Sequence, residues 1–280
     1  TGLDFAVPIG GGGVTRSTIR QVAGHTRLTG DSRTFGGATH VTGGTLQVNG
    51  WLGNATSTID VSDDATLAGA GTLGGSLALA DGRLSPGNSP GTLTVMGDMT
   101  MTADSQLDYE LGAANTAGGP LNDLTIVNGN LTLDGSVNVT QSAGGVYGPG
   151  VYRLIDYRGT LTDHGLELGR MPAGTDNFVQ TSVAHQVNLV NTRGLALRWW
   201  DGDTGGRNDG VIDGGDGTWL ATGTERWTQA DGLVNGPSQT PSFAIFAGAP
   251  GTVAVDNHQG QVAVTGMQFA TSGYRLKGGD

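Results

Sequence analysis

Short stretches in which apolar and polar residues alternate recur along the whole chain. A period of two places successive side chains on opposite faces of a strand. The pattern predicts half-buried strands, and the clearest are residues 45–48, 58–61, 76–79, 92–95, 130–133 and 136–139. No capping residue leads into an apolar run of helical period. The chain is therefore predicted to be almost entirely β.

Turn-forming residues separate these strands, as in Val-Asn-Gly at 48–50 and 127–129 and Leu-Asp-Gly at 133–135. Gly, Asn and Asp tolerate the left-handed backbone that such corners need. Residues 84–95, Leu-Ser-Pro-Gly-Asn-Ser-Pro-Gly-Thr-Leu-Thr-Val, hold two Pro-Gly pairs in front of a strand. Because proline has no N–H to donate, we expect Pro86 and Pro90 at corners or on an outward loop. We interpret this stretch as a structural corner between two strands and not as a binding loop.

The spacing of the strands favours a solenoid over a sandwich or barrel. Strand-turn units recur about every 20 residues, with Gly-Gly-Thr-Leu at 43, Ala-Gly-Thr-Leu at 70 and Pro-Gly-Thr-Leu at 90. Small residues at corners permit coils to stack at the strand spacing of about 4.8 Å. Some of the turns would also suit two-residue hairpins. We expect Leu124, Ile126, Leu131 and Leu133 to face the interior of the coils.

Two similar six-residue sequences, called the echo segments below, lie near the two ends of the chain. Residues 1–6 read Thr-Gly-Leu-Asp-Phe-Ala, and residues 265–270 read Thr-Gly-Met-Gln-Phe-Ala, 265 − 1 = 264 positions later. The chain has no initiator Met and stops at Lys277-Gly278-Gly279-Asp280. These features predict a fragment of a longer protein with a recurring unit of this length.

Composition excludes several classes of protein. The 280 residues include 52 Gly and no Cys, and the formal net charge is −11. High Gly without a collagen period agrees with a turn-rich β fold. The 14 basic residues are scattered, which argues against a nucleic-acid partner. No stretch approaches a spanning helix and no signal peptide opens the chain.

The residues resemble the passenger domains of pertactin-like autotransporters, the type V secreted proteins of Gram-negative bacteria. The matching segments are Gly-Gly-Thr-Leu-Gln-Val at 43–48, Gly-Ala-Gly-Thr-Leu-Gly-Gly at 69–75, Leu-Ser-Pro-Gly-Asn-Ser-Pro-Gly-Thr-Leu at 84–93, Asn-Asp-Leu-Thr-Ile at 122–126, Gly-Val-Tyr-Arg-Leu-Ile at 150–155, Trp-Asp-Gly at 200–202, Gly-Gly-Asp-Gly-Thr-Trp at 214–219 and Gly-Thr-Val-Ala-Val at 251–255. This resemblance implies a right-handed parallel β-helix (β-solenoid). It also implies export through an outer-membrane barrel of the same polypeptide, with barrel and signal peptide outside this segment.

Candidate catalytic motifs are incomplete. Gly30-Asp31-Ser32-Arg33 is similar to the Gly-Asp-Ser-Gly of serine proteases, but Arg33 occupies the last glycine position. His25 and His40 lie in repeat-like sequence and suggest no triad. Gly24-His25-Thr26 departs from the Gly-His-Gly loop of pectinolytic β-helices, and no acidic pair for glycoside hydrolysis is apparent. We predict no catalytic residues, no cofactor and no enzyme activity.

One segment, residues 199–216, suggests a metal. Asp201, Asp203, Asp209 and Asp213 lie in a Gly-rich stretch that ends at Asp216, and alternate carboxylates are a feature of calcium loops. Gly205 and Ile212 stand where further ligands are required, so a solvated surface loop is the favoured interpretation and calcium the alternative.

Four tryptophans lie in or near the same segment: Trp199, Trp200, Trp219 and Trp227. Exposed Trp side chains stack on sugars or anchor protein partners. Because the resemblance to autotransporters includes Trp200, Trp219 and Trp227, we favour packing of this excursion over ligand contact.

Together these observations predict one continuous β-helix passenger fragment over residues 1–280. Stacked coils are expected over 1–197, a Trp/Asp/Gly-rich excursion over 198–242, and further coils over 243–280. The expected function is a surface-displayed stalk and adhesin segment on the Gram-negative outer membrane. Expected partners are its own barrel and a host-cell receptor, matrix protein or glycan. The alternatives are a calcium-stabilised glycan- or protein-binding module and, less favoured, a glycan-cleaving β-helix.

Overall fold

The computed structural model describes residues 2–10, 17–203, 205–239 and 242–278. Every regular element in these ranges is a β-strand, and none of the described residues forms a helix capable of crossing a membrane. The chain divides into two compact units, Thr1–Tyr147 with Arg153–Ala173, and Gly148–Tyr152 with Gly174–Asp280.

The strands are, in chain order, β1 (Gly2–Phe5), β2 (Thr18–Gln21), β3 (His25–Leu28), β4 (Asp31–Ser32), β5 (Ala38–Val41), β6 (Thr45–Val48), β7 (Trp51–Leu52), β8 (Thr58–Val61), β9 (Thr66–Gly69), β10 (Thr72–Leu73), β11 (Ser76–Leu79), β12 (Arg83–Pro86), β13 (Thr92–Val95), β14 (Met99–Met101), β15 (Gln106–Ala113), β16 (Leu124–Val127), β17 (Leu131–Leu133), β18 (Ser136–Val146), β19 (Gly150–Tyr157), β20 (Leu161–Asp163), β21 (Glu167–Leu168), β22 (Asn177–Gln180), β23 (Gln186–Asn191), β24 (Leu197–Trp200), β25 (Gly217–Leu220), β26 (Trp227–Thr228), β27 (Asn235–Gly236), β28 (Ser242–Phe246), β29 (Thr252–Asp256), β30 (Val264–Phe269) and β31 (Arg275–Gly278).

The first unit contains three sheets, and successive strands of the chain visit them in turn. The first sheet has the order β1-β3-β6-β9-β12-β15-β18-β21, and the second has the order β2-β5-β8-β11-β14-β17-β20. The third runs from β4 through β7, β10, β13 and β16 to the part of β19 after residue 152. Neighbouring strands pair in parallel. The predicted all-β, parallel β-helix solenoid is confirmed.

The register gives the length of each coil. Thr45 pairs with His25 and with Thr66, so successive coils are offset by 45 − 25 = 20 and 66 − 45 = 21 residues. This agrees with the repeat spacing expected from the sequence. The predicted strands at 45–48, 58–61, 76–79 and 92–95 coincide with β6, β8, β11 and β13.

A column of aliphatic side chains fills the interior beneath the first sheet. Leu46, Leu67, Leu84, Leu107 and Val137 are each paired with the next in register, and each is at most 1% exposed. Full burial of such a side chain contributes about 2 kcal/mol. Because aliphatic side chains stack coil upon coil, each coil is stabilised mainly by contacts with the coils next to it.

The expected inward position of Ile126 is wrong. Strand β16 buries Thr125 and Val127, whereas Ile126 is half-buried and pairs with Thr94 in the neighbouring strand. The hydroxyl of Thr125 lies 2.6 Å from the phenol oxygen of Tyr109, which also donates to the Leu154 carbonyl at 3.1 Å. A buried polar pair therefore places a threonine inside, where hydrophobicity alone favoured the isoleucine beside it.

The corners between the first and third sheets vary in length along the first unit. Two residues connect the sheets at 29–30, 49–50 and 70–71, whereas the later corners take up 87–91 and 114–123. Pro90 lies in the 87–91 loop, as expected. Pro86 instead is the last residue of β12, where it is buried and pairs with Gly69, so it departs from the expected corner or loop position.

The second unit combines short parallel and antiparallel strands. Strands β22 and β23 form an antiparallel pair. Strands β24, β28 and β30 are parallel neighbours, with β26 and β27 added antiparallel at the β24 edge. Strands β25, β29 and β31 form a separate parallel sheet. The predicted boundaries at 197 and 242 stay predictions. Both echo segments are strands, β1 and β30, although Thr1 lies outside the described residues.

Two glycines at equivalent corners permit a matched stability test. Gly24 and Gly44 both have left-handed φ, 72° and 69°. A Cβ on Gly44 would stand 2.2 Å from the Gly24 carbonyl oxygen, whereas a Cβ on Gly24 would have no atom within 4 Å. We expect Gly24→Ala to lower the free energy of unfolding by about 1 kcal/mol through backbone strain, and Gly44→Ala by at least about 2 kcal/mol more through steric overlap. Urea unfolding of both variants measures the difference, and equal losses would contradict the stacking of these corners.

Candidate functional site

The predicted carboxylate cluster begins at Asp201, which is 1% exposed. Its Oδ1 accepts the backbone N–H of Asp213 at 2.9 Å and its Oδ2 accepts the Asn235 side-chain amide at 2.7 Å. Burial raises the pKa of Asp201, and the nearby carboxylates of Asp213 and Asp209 raise it further. Both oxygens of this carboxylate therefore serve the structure of the segment.

Asp203, Asp209 and Asp216 also have protein partners. Asp203 accepts two hydrogen bonds from the Arg226 guanidinium, at 2.5 and 2.9 Å. Asp209 accepts the N–H of Val211 at 3.0 Å, and Asp216 accepts that of Thr252 at 2.6 Å. Thr204 lies outside the described residues. Among the residues that the structure describes, no three His, Cys, Asp or Glu side chains form a group that could hold a metal ion.

The tryptophans of this segment are buried, as the packing interpretation predicts. Trp199, Trp200, Trp219 and Trp227 are each at most 2% exposed. Trp227 lies at the centre of one cluster, with ring centroids 5.3 Å from Trp200, 4.8 Å from Trp219 and 5.7 Å from Phe246. These rings form an aromatic core of the second unit and offer no open stacking surface.

The residues that suggested a serine protease lie in β4 and its turn. Ser32 is 3% exposed, and its hydroxyl accepts the backbone N–H of Ile9 at 2.9 Å. Asp31 pairs with the neighbouring Arg33 at 3.2 Å. A buried hydroxyl that accepts a backbone hydrogen bond is not arranged as a nucleophile beside a base. The motif is a structural corner.

The first unit carries a polar cleft of about 510 Å³ on the outer face of its first sheet. Its floor is formed by two small outward-facing residues, Ala68 in β9 and Ser85 in β12. Gln47 in β6 stands on one side and Glu110 in β15 on the other. The 87–91 loop contributes the remaining wall. The cleft exists because small side chains interrupt a row of long polar ones.

The 87–91 loop is fixed against this sheet by hydrogen bonds at both sides of the cleft. The Gln47 side-chain amide donates to Asn88 Oδ1 at 2.7 Å, and the Ser89 hydroxyl donates to Glu110 Oε2 at 2.8 Å. The Gly87 N–H donates to the Gly69 carbonyl at 2.8 Å. The Pro-Gly segment therefore spans strands that are far apart in the sequence.

Asn122 and Asp123 hold the 87–91 loop and strand β15 in place through hydrogen bonds to their backbones. Asn122 accepts the N–H groups of Gly112 and Ala113 and donates to two carbonyls, all within 3.0 Å. Asp123, 2% exposed, accepts Gly91 N–H at 2.8 Å and Glu110 N–H at 2.6 Å. The Asn-Asp pair thus ties the end of β15 and the 87–91 loop to the start of β16. This is a physical reason for the Asn-Asp-Leu-Thr-Ile sequence.

Burial raises the pKa of Asp123 to about 7, against the two backbone hydrogen bonds that lower it, and the Glu110 carboxylate raises it further. The folded protein then holds this proton more tightly than the unfolded chain does, where the pKa is about 3.9. The contribution of Asp123 to stability is therefore greatest below about pH 4 and decreases as the pH rises through about 7.

We expect Asp123→Asn to remove this pH dependence. At about 1.4 kcal/mol for each pH unit, ionisation of Asp123 lowers the free energy of unfolding by as much as about 4 kcal/mol between pH 4 and pH 7. The asparagine cannot ionise, but it accepts only one of the two N–H bonds, so its curve is lower at acidic pH and flatter. Urea midpoints from pH 4 to pH 8 measure the slope, with exposed Asp104→Asn as control. A slope unchanged in Asp123→Asn would contradict the assignment.

Sequence reasoning missed this cleft and its acidic neighbours. Glu110 and Asp123 are thirteen positions apart, and Gln47 and Asn88 are forty-one apart. The signal available in the sequence was the small pair Ala68 and Ser85 at outward positions of strands whose other outward residues are larger.

No family profile matches the chain, but two known proteins are similar to it. It is 47% identical over 285 aligned residues to the Adhesin BmaC autotransporter of Brucella suis biovar 1 (strain 1330), covering 98% of this chain and 8% of that protein. It is 30% identical over 215 residues to the Extracellular serine protease of Serratia marcescens, covering 65% of this chain and 20% of that protein. The chain thus spans a small part of each relative.

These matches confirm the resemblance to autotransporter passengers that the sequence motifs indicate. The names of both relatives agree with the predicted location at the cell surface or outside the cell. The relative that covers almost the whole chain is named an adhesin, and the one that covers less is named a protease.

Proposed function

Because the chain is homologous over 98% of its length to a segment of an autotransporter adhesin, we propose that it is a stalk-forming passenger segment at the surface of a Gram-negative cell. In this role it holds more distal regions of the protein away from the membrane and contributes to adhesion. The work is mechanical, and the segment itself carries out no catalysis.

The observation that carries this proposal is the in-register column from Leu46 to Val137. Coils that stack through identical contacts make a body whose length grows with the number of coils and whose stability accumulates locally. An outer-membrane barrel of the same polypeptide and a receptor, matrix protein or glycan on the host are the partners that this role requires.

Deleting one whole coil tests the role. Removal of residues 25–44 joins Gly24 to Thr45, and Gly24 has the same left-handed backbone as Gly44, which it replaces. We expect this variant of the full-length protein to fold and to be displayed, because each remaining strand keeps a partner in register. Removal of residues 25–34 takes out about half a coil, including β3 and β4. Every later strand would then fall in the position of a different sheet and lose its partners in register, so we expect this variant not to be displayed.

Display is measured with an epitope tag inserted beside the exposed Gly165, using antibody binding to intact cells. Adhesion of the same cells to cultured host cells is counted in parallel. Equal display of the two deletions would contradict a stacked-coil stalk, and unchanged adhesion after complete removal of residues 1–280 would contradict a contribution to adhesion.

A further inference from the structure

The stalk role does not account for the polar cleft between Gln47 and Glu110. Its volume, about 510 Å³, lies in the range of small-ligand sites, but such sites are mostly apolar. This one is lined by amide, hydroxyl, imidazole, guanidinium and carboxylate groups. A ligand that fits such a lining must itself offer many hydrogen-bonding groups.

The hydrogen bonds that fix the loop leave polar atoms for a ligand. Among the described residues, the loop contacts use the amide oxygen of Asn88 and one carboxylate oxygen of Glu110. The Asn88 amide nitrogen is a donor and the second Glu110 oxygen an acceptor. Donors and acceptors therefore face the same space, as recognition of hydroxyl groups requires.

The charges around the cleft compensate one another. Arg27 forms two hydrogen bonds with Asp4, at 2.9 and 3.1 Å, and His25 lies 3.1 Å from the Gln47 amide oxygen. Glu110 adds negative charge at the other side. A cleft whose Arg27 is already paired and whose far wall carries Glu110 disfavours phosphate and sulfate, and its mixed donors and acceptors fit the hydroxyl groups of a neutral ligand.

A second cavity, of about 190 Å³, continues along the same face of the sheet and shares Ser85 and Glu110 with the first. Its lining includes Asn138, which donates to Asp108 at 2.9 Å, Arg83, which pairs with Asp108 at 3.7 Å, and the exposed Arg170 at its outer side. We propose that this groove, over the small residues Ala68 and Ser85 and beside the 87–91 loop, binds a neutral oligosaccharide. This proposal rests on the proposed contribution to adhesion and deepens it by assigning a place and a chemical class to the ligand.

Saturation-transfer NMR on the purified 280-residue chain tests the proposal. The probes are lactose, cellobiose and N,N′-diacetylchitobiose, each supplied separately, with sialyllactose as the anionic comparison. We expect transfer to at least one neutral disaccharide, and a dissociation constant from titration of that sugar. Filling the floor with Ala68→Phe is expected to weaken binding at least tenfold. Asn88→Ala is expected to weaken it at least about fivefold, because it removes an amide donor to the sugar and the hydrogen bond from Gln47 that fixes the loop.

Ala78→Phe is the matched control, because Ala78 is a half-buried outward residue in the middle of a strand of the second sheet. We expect it to bind sugar as the parent chain does. Asn88 is exposed, so its variant reports on binding even where Ala68→Phe fails to fold, as judged by far-UV circular dichroism. Because the measurement uses purified protein, its result is independent of display and adhesion on cells.

Three outcomes would overturn the proposal. One is the absence of transfer to every neutral disaccharide, and another is transfer to sialyllactose alone. The third is binding that survives Ala68→Phe and Asn88→Ala, or that Ala78→Phe weakens equally, because the sugar would then contact another part of the chain.

Discussion

Replacing Leu131 by aspartate is expected to unfold the first unit. Leu131 is fully buried and pairs with Met99 on one side and Leu161 on the other. An isolated carboxylate at this position loses its hydration without gaining a partner, and the cavity left by the leucine adds to the cost. We expect a loss of at least about 4 kcal/mol, which is a large part of the stability of an ordinary domain.

The neighbouring residue supplies the control for this substitution. Thr132 is half-buried, points outward, and lies between Thr100 and Thr162. Thr132→Asp therefore introduces the same group on the solvent side and is expected to change stability by no more than about 0.5 kcal/mol. Far-UV circular dichroism with urea, and antibody labelling of cells that carry the full-length protein, measure both variants. Similar losses in the two would mean that this face of the strand is not the interior.

The second large effect is expected from Trp200→Ala in the second unit. Trp200 is fully buried, contacts Trp227 and Phe246, and donates its indole N–H to the Gly215 carbonyl at 2.9 Å. Truncating a buried tryptophan costs about 3–5 kcal/mol. The aromatic cluster is one buried cluster of this unit, beside a largely aliphatic one, so we expect loss of the cooperative unfolding transition of the unit as seen by tryptophan fluorescence.

Two milder variants separate packing from hydrogen bonding. The indole nitrogen of Trp227 has no hydrogen-bond partner among the described residues, so Trp227→Phe loses only volume, whereas Trp200→Phe also leaves the Gly215 carbonyl unpaired. We expect Trp200→Phe to cost about 1 kcal/mol more. Trp51 is half-buried, and the Arg33 guanidinium lies 4.3 Å from the centroid of its ring. We expect Trp51→Ala to lower the free energy of unfolding by less than Trp200→Ala or Trp200→Phe does. The opposite ranking would contradict the role of this cluster.

The fold could be predicted because it depends on local features of the sequence. Strands such as 45–48 alternate strictly between buried and half-buried residues, and corners such as Gly44 require glycine for steric reasons that composition already indicates. The coil length follows from the spacing of those corners. In β16, however, the alternation is ambiguous because Leu124, Ile126 and Val127 are all apolar. Only the contact between Thr125 and Tyr109 decides which set faces inward.

The candidate sites depend on contacts between distant residues, and there the sequence was a weaker guide. Asp201, Asp203 and Asp209 suggested one cation site because they are close in sequence, yet each bonds a different protein group. The cleft, by contrast, joins Gln47 to Asn88 across two coils. Its position is set by register, which is fixed only when the whole column of coils has formed.

The variable corner between the first and third sheets has an evolutionary consequence. Residues 87–91 and 114–123 add length where the preceding corners use two residues, while the strands on either side keep their parallel partners. Insertions at this edge therefore alter the outer surface without disturbing the inner column. Related proteins are expected to differ most in length here, so that antigenic variation and new binding loops can arise along one edge while the scaffold stays constant.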